Sequence, residues 1–162
     1  MRGIRVGVAA FVAAIALTGL LGAPAHADPI GKPCKDRVVQ ILRDAGFKGH
    51  KTRMAWAIVM RESKGQNLDE SSPWYTGALG FWQVQTSAHS GKSWWSRAAM
   101  LNPARQSRIV YLHLSERGRN WSHWGLTPQG TLDARYYQGW SSWQHEAWIM
   151  APFRKYYAAY PC

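Results

Sequence analysis

Acidic residues are scarce in this chain: nine Asp and Glu stand against 20 Lys and Arg over 162 residues, a formal net charge of +11 at pH 7. Any chemistry that needs a pair of carboxylates has few candidates to draw on. Cysteine is scarcer, with Cys34 and Cys162 alone. That excludes a dense disulfide framework, and two cysteines so far apart, with no local Cys/His pair, give no zinc-type site. His89, His113 and His123 have neither ligand spacing nor a Ser or Cys nucleophile context, so they read as satisfied surface or core residues, and neither metal nor cofactor is expected. Internal repeats and low-complexity tracts are missing, which excludes solenoid and linker-type chains. Strand signals are few beside helix signals, so the fold class expected is mainly α, a single domain with at most a small irregular or β segment.

One long apolar run is present, Val6 to Gly22, preceded by Arg2 and Arg5 and followed by Ala25-His26-Ala27 before Asp28. These are the three parts of a secretory signal peptide, residues 1–27, cleaved after Ala27. The rival is an uncleaved anchor, since the run approaches a bilayer-spanning length; the A-x-A site favours removal, and no Cys beside it supports a lipoprotein. Residues 28–162 then form one domain, secreted or wall-associated, with no stable membrane insertion after cleavage. In an oxidising compartment Cys34 and Cys162, at opposite ends of the mature chain, point to one disulfide joining the termini; two free buried thiols are the alternative. Losing Arg2 and Arg5 leaves a net charge of +9. Acidic wall polymers or anionic surfaces are fitting partners, unless the charge only confers solubility. The basic residues are scattered rather than run together, which with export argues against nucleic acid.

Periodicity predicts a first helix over Pro33 to Ala45, with Val38, Ile41, Leu42 and Ala45 on one face and Gly46 ending it. A second begins near Thr52 as N-cap and carries Glu62, with Gly65 beyond it. Gln66 to Thr76 is a polar loop, and Gly77 to Gln85 could be helix turn or strand. Asn102-Pro103 opens a long helix through Glu116, apolar nearly all round from Ile109 to Leu114 and expected at the centre of the fold. Gly118 ends it, a loop holds Trp121 and Trp124, and two later helices start at Ser141 or Ser142, with Gln144 placed for a capping box, and at Pro152.

The second helix carries the chemistry. Ala55, Ile58, Val59 and Glu62 fall at i, i+3, i+4 and i+7, so Glu62 continues the stripe that faces the core. A carboxyl group taken out of water favours its neutral form, and a neutral acid can protonate a leaving oxygen, as glycosidic cleavage requires. The structural alternative is a buried carboxylate held by an Arg. Gly80-Phe81-Trp82-Gln83 adds glycine for close backbone approach, an aromatic ring and an amide. The ten tryptophans, all between Trp56 and Trp148, divide between core and sugar-stacking surface, with Trp74, Tyr75 and Trp82 as candidates for stacking and Trp121 and Trp124 as packing.

At these residues the chain resembles the transglycosylase SLT domain, a lysozyme-like family, in its actinobacterial form. Glu62-Ser63-Lys64-Gly65 matches the E-S-x-G signature, and Gly80-Phe81-Trp82-Gln83-Val84 is similar to the following G-L-x-Q-hydrophobic segment. Ala45-Gly46-Phe47, Asn102-Pro103 and the Trp121/Trp124 loop extend the likeness over roughly residues 34–126. Lys64, where a small residue or glycine is common, and Phe81, where Leu is common, depart from the pattern without touching the acid. The resemblance implies a lysozyme-like fold that cleaves the β-1,4 bond between N-acetylmuramic acid and N-acetylglucosamine in peptidoglycan glycan strands. It assigns Glu62 the acid/base role, with Ser63 and Gln83 lining the cleft. Tyr137, in the Tyr136-Tyr137 pair, stands where the family often has an assisting tyrosine. A two-carboxylate hydrolase needs a partner acid, whereas a lytic transglycosylase reuses one Glu and lets the sugar's 6-hydroxyl attack, giving an anhydro product. Asp69, Glu70 and Glu116 are the acids to weigh as partners. None stands out, which favours the single-Glu mechanism over a muramidase; a non-catalytic wall-glycan-binding module is the alternative from another class.

Overall fold

The computed structural model describes residues 34–73, 75–133, 135 and 137–162. The expected export segment, residues 1–27, lies outside the described residues, as do Trp74 and Tyr136. The first helix, α1 (Arg37–Ala45), starts later than Pro33 because Asp36 is its N-cap, its carboxylate accepting from Val39 N at 2.9 Å. It stops at Gly46, which takes the left-handed φ of 114° that a C-terminal cap favours. α2 (His50–Ser63) has Gly49, not Thr52, at its N-cap position. Thr52 lies inside the helix and fully buried, so its hydroxyl cannot serve as the cap. The helix ends at Lys64, whose φ of 54° is the left-handed conformation that suits glycine there.

The stretch left open between Gly77 and Gln85 is a two-stranded antiparallel hairpin, β1 (Ala78–Leu79) with β2 (Val84–Gln85), pairing Ala78 with Gln85 and Leu79 with Val84. Two short helices not anticipated from periodicity follow, α3 (Thr86–His89) and α4 (Arg97–Met100), the second capped by Ser96. They are a single turn each, too short to show a 3.6-residue repeat.

Asn102 caps α5 (Pro103–Ile109), its side chain accepting from Arg105 N at 3.0 Å. The helix then widens into a π turn over Val110–Leu114. It is not the centre of the fold. Gln106, Ser107, Val110 and Leu114 are buried while Leu112 is 38 % exposed, so only one stripe of the apolar run faces inward. The centre is α2, buried without interruption from Met54 to Val59, packed chiefly on the C-terminal helix, while α1 packs on α5 and α2.

The two expected C-terminal helices are one continuous rod: α6 (Ser142–His145), a π turn over Glu146–Met150, and α7 (Ala151–Ala158). Pro152 lies inside this rod, directly after the π turn that ends at Met150, and does not divide it. The capping box is complete, with Ser141 Oγ accepting from Gln144 N at 3.3 Å and Gln144 Oε1 accepting from Ser141 N at 2.8 Å. Arg53 ties α2 to this rod through Tyr157, donating to its carbonyl at 2.8 Å with the guanidinium 4.2 Å from its ring centroid. A Cys34–Cys162 disulfide joins the two ends of the described chain. No helix among the described residues is long and apolar enough to cross a membrane.

Candidate active site

Glu62 lies in the last turn of α2, where the buried stripe runs out toward solvent. Ala55, Ile58 and Val59 are fully buried, but the Glu62 side chain retains 25 % exposure and is paired with Arg61. The enclosure in apolar surroundings expected from the helical spacing is therefore corrected: a guanidinium stands beside the carboxylate instead. Sequence neighbours on a helix do not ordinarily face one another. Here Arg61 folds back because Trp124 O accepts from its Nη2 at 2.9 Å. Its Nε and the same Nη2 both donate to Glu62 Oε1, at 2.9 and 2.6 Å. Oε2 takes no hydrogen bond from the described residues, so one carboxylate oxygen is clamped and the other is presented.

Ser63 is 96 % buried, its hydroxyl donating to Phe81 O at 2.8 Å. It ties the end of α2 to the hairpin turn rather than offering its hydroxyl to a ligand. That turn, Gly80 to Gln83, is held from the other side by α5. Gln106, fully buried, accepts from Trp82 N at 3.0 Å and donates to Leu79 O at 2.8 Å. Gly80 is required by this approach: a Cβ there would lie 2.1 Å from Met100 O, and the φ is +76°. Gln83, also left-handed at φ 51°, donates through Nε2 to Gly80 O at 2.8 Å, which fixes its side chain at the cleft.

Two cavities meet at Glu62. One of about 360 Å³ is lined by Arg61, Glu62, Ser63, Lys64, Gln66 and Leu68. The other, about 370 Å³, is lined by Glu62, Thr76, Ala78, Gln83, Gln85, His123, Trp124 and Tyr137. Of the residues singled out in the sequence, Glu62, Gln83 and Tyr137 are thus brought together in one space. A smaller recess of about 160 Å³ shares Gln83, Gln85, His123 and Trp124 and adds His89. The two imidazoles are 5.8 Å apart. Burial holds both below the ordinary histidine range, and for His89 the neighbouring His123 and Lys92 add to it.

Trp82 is not a stacking surface. Its indole is fully buried, donates from Nε1 to Ser107 Oγ at 2.9 Å, and packs with Phe47, Trp121 and Trp124 at centroid distances of 5.7, 6.5 and 5.3 Å. Tyr75 is 39 % exposed and is not among the residues lining the Glu62 cavities. Trp121 packs as expected, whereas Trp124, also buried, has an edge on the cleft.

The rival carboxylates are engaged elsewhere. Arg97 donates to both oxygens of Glu70 at 2.9 and 2.6 Å and lowers its pKa to about 2. Asp69 accepts from the Ser71 hydroxyl at 2.6 Å and is lowered by that bond. Glu116 lies beyond α5 in a left-handed turn, φ 48°, accepting from Asn120 Nδ2 at 3.2 Å. It is exposed, not on a buried helix face.

Residues that sequence reasoning passed over are Arg61, Thr76, Gln85, Gln106, Ser107 and, as a cleft residue, His123. Arg61 carried a signal, as the one cation at the end of an apolar run from Ala55 to Met60. Gln106 and Ser107 carried a weaker one, polar residues on the inward stripe of a capped helix.

A family model described as "Lysozyme like domain" matches residues 39–126. The match takes in Glu62, the hairpin and α5, and stops short of Tyr137. No curated protein and no solved structure matches the chain.

Proposed function

The chain belongs to the lysozyme-like domain family, and on that premise we propose that it is an exported lytic transglycosylase acting on the β-1,4 MurNAc-GlcNAc bond of peptidoglycan. Family membership points to peptidoglycan-related glycan cleavage. One observation supports the finer reading: Glu62 is the residue common to two cavities of about 360 and 370 Å³, so a glycosidic bond lying across it leaves sugar on each side. Among the described residues, no other Asp or Glu lines either cavity. In the proposed reaction Oε2 of protonated Glu62 gives its proton to the glycosidic oxygen as the bond to C1 breaks. The carboxylate then takes the proton of the sugar's own 6-hydroxyl as O6 bonds to C1, regenerating the acid with no water consumed. Arg61 compensates the charge on Oε1 while Oε2 exchanges the proton. Gln83 and Tyr137 are placed to contact the sugars, and Ser63 acts as a positioning residue through Phe81.

The Cys34–Cys162 disulfide and the basic charge fit a protein that works outside the cell against acidic wall polymers. The test is cleavage of purified peptidoglycan by the parent protein and by Glu62→Gln, with mass analysis of the products. Loss of general acid catalysis lowers the rate by at least about 10²–10⁴-fold, and the parent releases anhydro ends. Reducing ends would mean hydrolysis by a muramidase. Equal clearing by both proteins, or binding without clearing by either, would remove the catalytic role.

A further inference from the structure

The turn after the π turn of Val110–Leu114 is strained in a way that the cleft does not require. Glu116, Arg117 and Gly118 are left-handed in succession, at φ 48°, 62° and 74°, and the third alone is a glycine. Non-glycine residues held there cost stability, and such outliers mark positions kept for another use. Their backbone is pinned. Arg117 N donates to Tyr111 O at 2.6 Å, and Ser115 O accepts from Arg119 N and Asn120 N at 2.8 and 2.9 Å.

What this turn carries is positive charge, and other elements bring more to it. Lys51, in the first turn of α2, lies along Gly118 and donates from Nζ to Arg117 O at 3.0 Å. Lys48 stands one turn earlier, its carbonyl accepting from Lys51 N at 3.2 Å. Arg119 Nε donates to Glu116 O at 3.0 Å. Arg108 reaches the same corner from α5, its guanidinium 5.5 Å from the Tyr111 ring centroid and donating to Ala45 O. Lys48, Arg108, Arg117 and Arg119 are exposed. Among the described residues none of these cations forms an ion pair with a carboxylate. Asp44 and Glu116 are the acids at the border, the first exposed on α1 and the second accepting from Asn120 Nδ2. Cations gathered without carboxylates repel one another, so a fold that keeps them together is suited to an anion from outside.

The rest of the corner selects among polyanions. Its ring, Tyr111, is taken up by Gly46, Phe47 and Arg108, which leaves no face for the sugars of an acidic polysaccharide or the bases of a nucleic acid. Leu112 is the one large exposed apolar side chain on these elements, too little to enter a lipid surface. Guanidinium and ammonium groups along one edge suit a chain that carries a fixed negative charge in every link, as a polymer of phosphodiesters does.

We propose that Lys48, Lys51, Arg108, Arg117 and Arg119 form a docking site for an acidic wall polymer of repeating phosphodiesters. Lys51 and Glu62 belong to the same helix, about 16 Å apart along its axis. An occupied corner therefore leaves the cleft open, and the polymer holds the protein at the wall while it cleaves. The proposal rests on the protein working at the wall, and it is independent of the chemistry at Glu62.

The test uses the full mature chain, with lipid-free poly(glycerol phosphate) as the probe. Binding is titrated for the parent, for the corner variant Lys48→Gln, Arg117→Gln, Arg119→Gln, and for a control with the same change of charge, Lys35→Gln, Lys92→Gln, Lys155→Gln, all exposed. The corner variant binds roughly tenfold or more weakly at low salt and flattens the slope of log affinity against log salt by about two. At physiological salt, where distant charges are screened, the control changes binding by less than about threefold. Arg117→Gly removes one charge and relieves the left-handed strain, so it melts no lower than the parent and still binds about two- to fivefold more weakly. Equal losses in the corner variant and the control make binding a matter of net charge and overturn the site. So does a parent that does not bind the probe, or one that binds phosphatidylglycerol vesicles or duplex DNA more tightly through the same residues. Cleavage of peptidoglycan stripped of acidic polymer is unchanged in the corner variant, whereas walls that retain the polymer are cleared more slowly. If the parent cleaves neither, the catalytic reading fails, while the titration still decides the docking site.

Discussion

Gln106 is the side chain on which the cleft wall hangs, and replacing it by Leu tests the whole arrangement. The amide is fully buried and bonds two backbone groups of the hairpin, Trp82 N at 3.0 Å and Leu79 O at 2.8 Å. Gln106→Leu keeps the volume and removes both partners. A buried N–H left without an acceptor costs about 1–3 kcal/mol, and the carbonyl bond adds about 0.5–1.5 kcal/mol. The better burial of an apolar side chain offsets part of this, leaving about 2–3 kcal/mol. For a domain of this size that is a fall in Tm of roughly 6–12 °C. Because Gln83 is fixed by its bond to Gly80 O in the same turn, strand cleavage should fall more than stability alone explains at 20 °C, where the variant remains folded. Gln106→Glu is the informative companion. Its protonated carboxyl offers one acceptor and one O–H donor and reproduces both bonds, whereas the ionised form opposes an oxygen to Leu79 O. Burial raises the folded-state pKa of that new carboxyl above its unfolded value of about 4.3, so the variant loses stability relative to the parent as pH rises through the window above it. Thermal melts from pH 4 to 8 measure this directly. A Gln106→Leu protein melting within 2 °C of the parent, with cleavage intact, would refute the claim that α5 holds the turn.

Arg61→Met removes the two bonds to Glu62 Oε1 and the one to Trp124 O. Steady-state assays on strands should show kcat lowered about 10-fold or more with KM changed little, since a freed carboxyl keeps the cleft but loses orientation; a pure KM effect would place Arg61 in binding instead. Burial lowers the folded-state pKa of His89 and His123, so as pH drops below their unfolded pKa near 6.5 the unfolded chain binds more protons and stability falls. The His89→Gln, His123→Gln double variant should flatten that slope in melts between pH 5 and 7.5, and parallel curves would show that other groups set it.

What could be read in the sequence, and what could not, divides by the distance along the chain at which each side chain's orientation is decided. The caps at Asp36, Asn102 and Ser141 act on groups three residues away, and these helix starts are legible wherever the cap itself is recognised. Thr52 marks the limit of the same logic: a good cap residue stands there, but the helix has already begun behind Gly49. The Glu62 motif and Gln83 are legible because each sits at a fixed place beside its own helix end or turn.

Trp82 is different. Gly-Phe-Trp-Gln reads alike with the indole inward or outward, and the choice is made by Gln106 and Ser107, 24 and 25 residues further on. Arg61 is turned onto Glu62 by a carbonyl 63 residues away, so periodicity placed Glu62 on an apolar face and missed the guanidinium beside it. The segment 137–145, where Tyr137 stacks on Trp140, falls between these cases. Its bracing is local, with partners three to eight residues apart, so its shape is written in the segment itself. That Trp140 and Trp143 remain exposed follows from the rest of the chain, which packs α7 rather than α6 against α2.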